Sequence, residues 1–143
     1  MCFERVKASA VAIGLLLLGQ PAVAASLSLQ CDLKNIPRKA GLSKTYFVGH
    51  KAGKDFVVVA DEWILHFNGG PIKAKISRND AKSLVFTWEL DRDGTSNSTQ
   101  STVAYRAHFI KTTGQLNVRA QAKPYPPLPG ARGKCKTVKR KGW

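Results

Sequence analysis

Val103-Ala104-Tyr105-Arg106-Ala107-His108-Phe109-Ile110, then Lys111-Thr112-Thr113-Gly114, then Gln115-Leu116-Asn117-Val118-Arg119-Ala120-Gln121-Ala122 decide the fold. Val103, Tyr105, Ala107 and Phe109 share one parity, as do Leu116, Val118, Ala120 and Ala122, with polar residues between them. A period of two marks strands with one face buried and the other wet, and the glycine-bearing segment between them reads as a tight turn. Side chains alternate between faces, so loop length fixes which residues meet. A two- or four-residue loop keeps the apolar sets facing one another, whereas a three-residue loop would put Arg106 beside Ala120. The four-residue loop sets Arg106 opposite Arg119, and the two-residue loop sets His108 opposite Arg119.

The same alternation extends back along the chain. Val57, Val59, Trp63, Leu65 and Phe67 share a parity, followed by Ile72, Ala74 and Ile76, then by Leu84, Phe86 and Trp88. Turn sequences separate them: Lys51 to Lys54, Asn68-Gly69-Gly70-Pro71, Arg78 to Ala81, and Asp91 to Gln100. A four-residue loop at Asn68 to Pro71 pairs Phe67 with Ile72, Leu65 with Ala74 and Trp63 with Ile76, and brings His66 opposite Lys73. Continuous alternation from Val57 to Phe67 aims Asp61 inward, so either a bulge at Ala60-Asp61 interrupts the strand or an acid is buried. No long stretch shows a clean helical period, and little helix is expected. Lys123-Pro124-Tyr125-Pro126-Pro127-Leu128-Pro129-Gly130 cannot donate a ladder of hydrogen bonds and reads as a connector. The expected fold is all-β: an antiparallel meander of about six to eight strands forming a small sandwich or a partly closed barrel.

The chain has 143 residues, with 23 Lys plus Arg against 9 Asp plus Glu, for a formal charge of +14. That length suits one domain. Residues 1–24 read as a secretory leader: Arg5 and Lys7, an apolar stretch over 8–19, and Ala22-Val23-Ala24 as the small-x-small cleavage site. The apolar stretch is shorter than the roughly 20 residues a spanning helix needs. Cys31 follows Leu29-Gln30, not the small residue a lipid anchor requires. Cleavage removes Cys2 and leaves Cys31 and Cys135, which in an oxidising compartment are expected to form one disulfide joining the two ends of the domain. Neither cysteine belongs to a Cys-x-x-Cys pair or has a histidine within ten residues. Losing Glu4, Arg5 and Lys7 leaves the domain over 25–143 at +13, with a basic tail over 131–143. The tail carries Arg132, Lys134, Lys136, Lys139, Arg140 and Lys141 and ends in Trp143. An outer-membrane barrel would expose Lys73, Lys75, Arg106 and Arg119 to lipid, at roughly 2 to 4 kcal/mol each near the midplane.

Motifs for chemistry are missing from the sequence. The histidines are His50, His66 and His108, and no two stand at a metal-ligand spacing on one strand. There is no Gly-x-Ser-x-Gly, no phosphate-cradling glycine loop and no His-Glu-x-x-His. Asp91-x-Asp93 lacks the downstream acids of a calcium loop. The expectation is a non-catalytic, cofactor-free module.

The wet faces are more informative. Like charges opposed across strands are destabilising, so a sheet that keeps them either solvates them or presents them to an anion. The candidate anion-binding set is His66, Lys73, Lys75, Arg106, His108 and Arg119 with the tail cations Arg132, Lys134, Lys136, Lys139, Arg140 and Lys141. A secreted or periplasmic location removes intracellular nucleic acid as partner and leaves anionic polymers, or an anionic membrane surface with its lipid headgroups. Two alternatives stand beside this polyanion-binding reading. One is a small β-barrel carrier whose Trp63, Phe86, Trp88, Tyr105 and Phe109 line a cavity for an apolar ligand; the other is an enzyme inhibitor. The expected inward set comprises Trp63, Leu65, Phe67, Ile76, Phe86, Trp88, Tyr105, Phe109 and Val118.

Overall fold

A computed structural model describes residues 26–92, 102–122 and 125–139. The leader with its cleavage site, Asp93, the Ser/Thr-rich segment before Thr102, and Arg140 and Lys141 lie outside the described residues. The strands are β1 (Leu27–Lys34), β2 (Thr45–His50), β3 (Phe56–Ala60), β4 (Ile72–Asn79), β5 (Ser83–Asp91), β6 (Thr102–Ile110), β7 (Gln115–Ala122) and β8 (Ala131–Thr137). Each pairs antiparallel with its sequence neighbour, and β8 returns to β1, so the meander is a closed barrel rather than a sandwich. At that seam Cys31 stands opposite Cys135 with the sulfurs bonded at 2.02 Å.

The alternation read in β6 and β7 is the alternation seen. Val103, Tyr105, Ala107, Phe109, Leu116, Val118 and Ala120 are buried, while Arg106 and Arg119 are exposed. The turn over 111–114 is the four-residue one, with Ile110 paired to Gln115 and Arg106 to Arg119. Gly114 takes φ 68°, a left-handed conformation that glycine adopts without a Cβ clash, and the Ile110 carbonyl accepts its N–H at 2.9 Å.

The interior is filled by large rings. Trp88 stacks on Tyr105 at 5.1 Å between centroids, with Phe86 at 5.9 Å and Tyr46 at 6.2 Å. Phe86, Trp88, Tyr105, Phe109 and Val118 are buried as expected, and Ile76 packs at the edge of the same core.

The segment after Ala60 differs from the expected strand. It is a helix, α1 (Glu62–Asn68), seven residues long. Asp61 takes extended backbone and its Oδ1 accepts the Ile64 N–H at 2.6 Å, which makes it the N-cap; Gly69 at φ 75° closes the other end, donating to the Leu65 carbonyl. Trp63 and Phe67, one turn apart, stack at 5.9 Å, and Ile64 is the residue driven fully into the core. Leu65 is accordingly 48% exposed rather than inward. The helix occupies the space assigned to a hairpin, so β3 meets β4 through Val59↔Ile72 and Val58↔Lys73. The pairings of Phe67 with Ile72 and His66 with Lys73 do not form. The bulge expected at Ala60-Asp61 does not form, because the strand ends there and the helix begins; the other branch holds, with Asp61 buried at 3% exposure as the helix N-cap.

The basic segment also differs from a free tail. Its first seven residues are β8, which closes the barrel, and Val138 still donates to the Ser28 carbonyl at 2.9 Å.

Candidate anion-binding groove

The β6–β7 turn sets the register on the outer wall. Arg106 faces Arg119 and His108 faces Asn117. One strand further, Asn117 pairs with Arg132 and Gln115 with Lys134; further still, Arg132 pairs with Lys34 across the barrel seam. Outward positions of β6, β7, β8 and β1 therefore share a surface, and on it lies an open groove of about 860 Å³. Its walls carry Lys34, Arg106, His108, Arg119, Arg132 and Lys134, with no acid among its lining residues.

The floor is low because it is made of Val118, Ala131, Gly130 and Gly133. Gly133 packs against β1 so tightly that a Cβ there would run into the Asp32 carbonyl oxygen, and one on Gly130 would lie 2.9 Å from the Val118 carbonyl. At the rim, Asn35 turns the chain with φ 52°, a left-handed conformation that asparagine tolerates better than most residues. Polar contacts hold several walls in place. His108 Nε2 lies 3.0 Å from Ser83 Oγ, the Gln115 amide donates to Asn117 at 3.3 Å, and Lys134 Nζ donates to the Thr113 carbonyl at 3.0 Å. The guanidiniums of Arg106, Arg119 and Arg132 have no hydrogen-bond or ion-pair partner among the described residues.

A second open depression of about 500 Å³ shares Arg106 and Arg119 with the groove and continues across β5 to Lys75. The register is direct: Lys75 opposite Thr87, Thr87 opposite Arg106, Arg106 opposite Arg119. Glu89, Gln121 and Pro127 complete its rim. Pro127 is held there by the described part of the proline-rich connector, in which the Leu128 N–H donates to the Ala120 carbonyl at 2.9 Å and the Gln121 amide donates to the Tyr125 carbonyl at 3.0 Å.

Of the candidate residues, Arg106, His108, Arg119, Arg132 and Lys134 come together in the groove, and Lys75 joins them through the second depression. Lys73 stands apart, its ammonium 4.8 Å over the Phe56 ring. Lys136 pairs with Gln30 further along β8, and Lys139 is exposed beyond it; neither lines the groove. His66 lies on α1, edge-on to Phe67 at 4.8 Å. Sequence reasoning missed Lys34. The signal was present, because Cys31 opposite Cys135 on antiparallel strands places Lys34 opposite Arg132.

The other polar cluster is buried under α1. Burial raises the Asp61 pKa, and the Ile64 N–H only partly offsets that. The Tyr46 hydroxyl accepts the Ser43 N–H at 3.0 Å, and burial together with the Asp61 charge raises its pKa strongly. Alongside, Arg92 donates to the Tyr105 hydroxyl at 2.7 Å and to the Gly41 carbonyl at 2.9 Å while covering Trp63 at 5.2 Å. These groups seal one end of the barrel instead of opening to solvent. Among the described residues no three His, Cys, Asp or Glu side chains gather as a metal site, and no helix is long and apolar enough to cross a membrane. No family model matches the chain, and neither a curated protein nor a solved structure matches it.

Proposed function

We propose that this protein is a secreted or periplasmic non-catalytic binding module that holds anionic polymers or lipid headgroups on the outer wall of its barrel. The observation that carries the reading is the Arg106–Arg119 pair, two like charges in direct register whose guanidiniums have no partner among the described residues, in a groove with no acid among its lining residues. Such a pair disfavours the sheet and is relieved when an anion sits between its members. Stacked rings of Phe86, Trp88 and Tyr105 fill the barrel interior between its ends, which favours a ligand on the cationic wall over a carrier of an apolar ligand.

The test is retention on immobilised heparin and on anionic vesicles, starting at about 50 mM salt, where counterion release contributes most. The expected result is binding that weakens steeply as salt rises. Arg106→Gln combined with Arg119→Gln should reduce the log–log slope by up to about 1.8, if each guanidinium neutralises one phosphate-like charge. A full-length protein with no salt-sensitive retention on either material would overturn the proposal.

A further inference from the structure

We infer that the groove and the adjoining depression form one cleft for a linear acidic polysaccharide, lying across the strands from Lys75 on β4 to Lys34 on β1. The inference rests on the groove being an anion site and adds its extent and its ligand class. Arg106 and Arg119 line both hollows, so they mark the middle of a continuous strip and not the end of a pocket. The strip crosses β4, β5, β6, β7, β8 and β1, five of the eight strand steps of the closed barrel, so it follows roughly 24 Å of curved wall at about 4.8 Å per step and a bound chain wraps around the barrel. A single phosphate or carboxylate headgroup can engage one part of that length but not both ends.

The chemistry between the cations selects the polymer. Thr87, Gln121 and Asn117 stand between the cations along the strip, Gln115 and Asn35 flank the groove, and Glu89 on the rim of the second depression is the one acid among the described residues lining either hollow. Neutral amides and hydroxyls spaced between cations match a chain on which acidic groups alternate with sugar hydroxyls, since the amides both donate and accept. A single-stranded nucleic acid needs a series of aromatic platforms for its bases. Here Trp88 and Tyr105 at the second depression are turned into the core, at 5% and 2% exposure. A membrane surface calls for apolar side chains that enter the lipid. The large hydrophobic side chains exposed among the described residues are Leu65 on α1 and Tyr125 on the connector, neither of which lines the strip.

The decisive experiment measures binding of size-fractionated heparin fragments by the full-length protein at fixed low salt. Hyaluronate fragments serve as a carboxylate-only series, and oligothymidylates and phosphatidylglycerol vesicles as competitors. Affinity should rise with fragment length and level off once the strip is covered. Lys75→Gln should weaken the longest fragments about two- to fivefold, as loss of one exposed ion pair would, and leave the shortest unaffected. Lys73→Gln, outside the strip, should change neither. If affinity is independent of length, and Lys75→Gln has no effect while Arg106→Gln with Arg119→Gln still weakens binding, the extended cleft is refuted but the anion groove stands. No binding of any fragment refutes both. Tighter binding of oligothymidylates or vesicles than of heparin fragments overturns the polysaccharide assignment.

Discussion

Replacing Arg106 and Arg119 together by glutamine should weaken ligand binding and stabilise the fold, two effects that a merely structural pair would not separate. The residues stand directly opposite on β6 and β7 and are exposed. Directly opposed side chains leave Cβ atoms about 5 Å apart. Two unit charges at that distance in a water-like dielectric repel by about 0.8 kcal/mol. Long arginine side chains can splay further apart, so the expected gain is about 0.2 to 0.8 kcal/mol, within the measured range for cross-strand pairs. The assay is urea denaturation at low salt and again at about 1 M, where the screening length falls to roughly 3 Å. The gain should appear at low salt and fade at high salt, while heparin affinity at low salt falls. A loss of more than about 0.5 kcal/mol on double substitution would refute the reasoning, because it would mean that the arginines support the wall through their alkyl stems.

Three further outcomes follow from the structure. Reducing Cys31–Cys135, whose sequence separation is 104 residues, should cost about 4 to 5 kcal/mol in the chain-entropy account, read from denaturation midpoints with and without reductant; two free thiols by mass spectrometry in the native protein would remove the premise. Trp88→Ala should cost about 3 to 5 kcal/mol, because the ring packs against Phe86, Tyr46 and Tyr105; a change below about 0.5 kcal/mol would mean that the interior is looser than described. Asp61→Ala should lose about 1 kcal/mol with the N-cap, whereas Asp61→Asn keeps a capping oxygen. Burial raises the Asp61 pKa in the folded protein, so this group favours folding below its unfolded-state pKa and loses that contribution as pH rises through the folded value. Stability curves against pH should therefore show Asp61→Asn gaining on the natural protein as pH rises, and a gap that widens toward acid would contradict the assignment.

The β6–β7 hairpin was legible because two independent constraints agreed, the parity of the apolar residues and an even loop that keeps them on one side. Helix α1 was not, for a physical reason: at seven residues it is too short to display a helical period, and Trp63, Leu65 and Phe67 imitate a strand. Its caps were the available signal, an aspartate just before and a glycine just after a short apolar run. Half of the groove followed from the hairpin, since Arg106, His108 and Arg119 need only that register. The other half needed the β8–β1 pairing. The cysteine pair pointed to it, but Gly133 and the proline-rich connector do not resemble the approach to a central strand, so from sequence β8 reads as a tail.

Closure at the β1–β8 seam has a consequence for the order of assembly. The first and last strands of the domain are partners, so β1 can form only one of its two ladders until the final strand exists. Seven strands can accumulate pairwise along the chain while β1 and β7 remain open edges, templates onto which another copy could add. Synthesis stopped before Ala131 would leave both edges exposed permanently. The sulfur link joins the same two strands, so once it has formed the ends of the sheet cannot separate unless it is reduced.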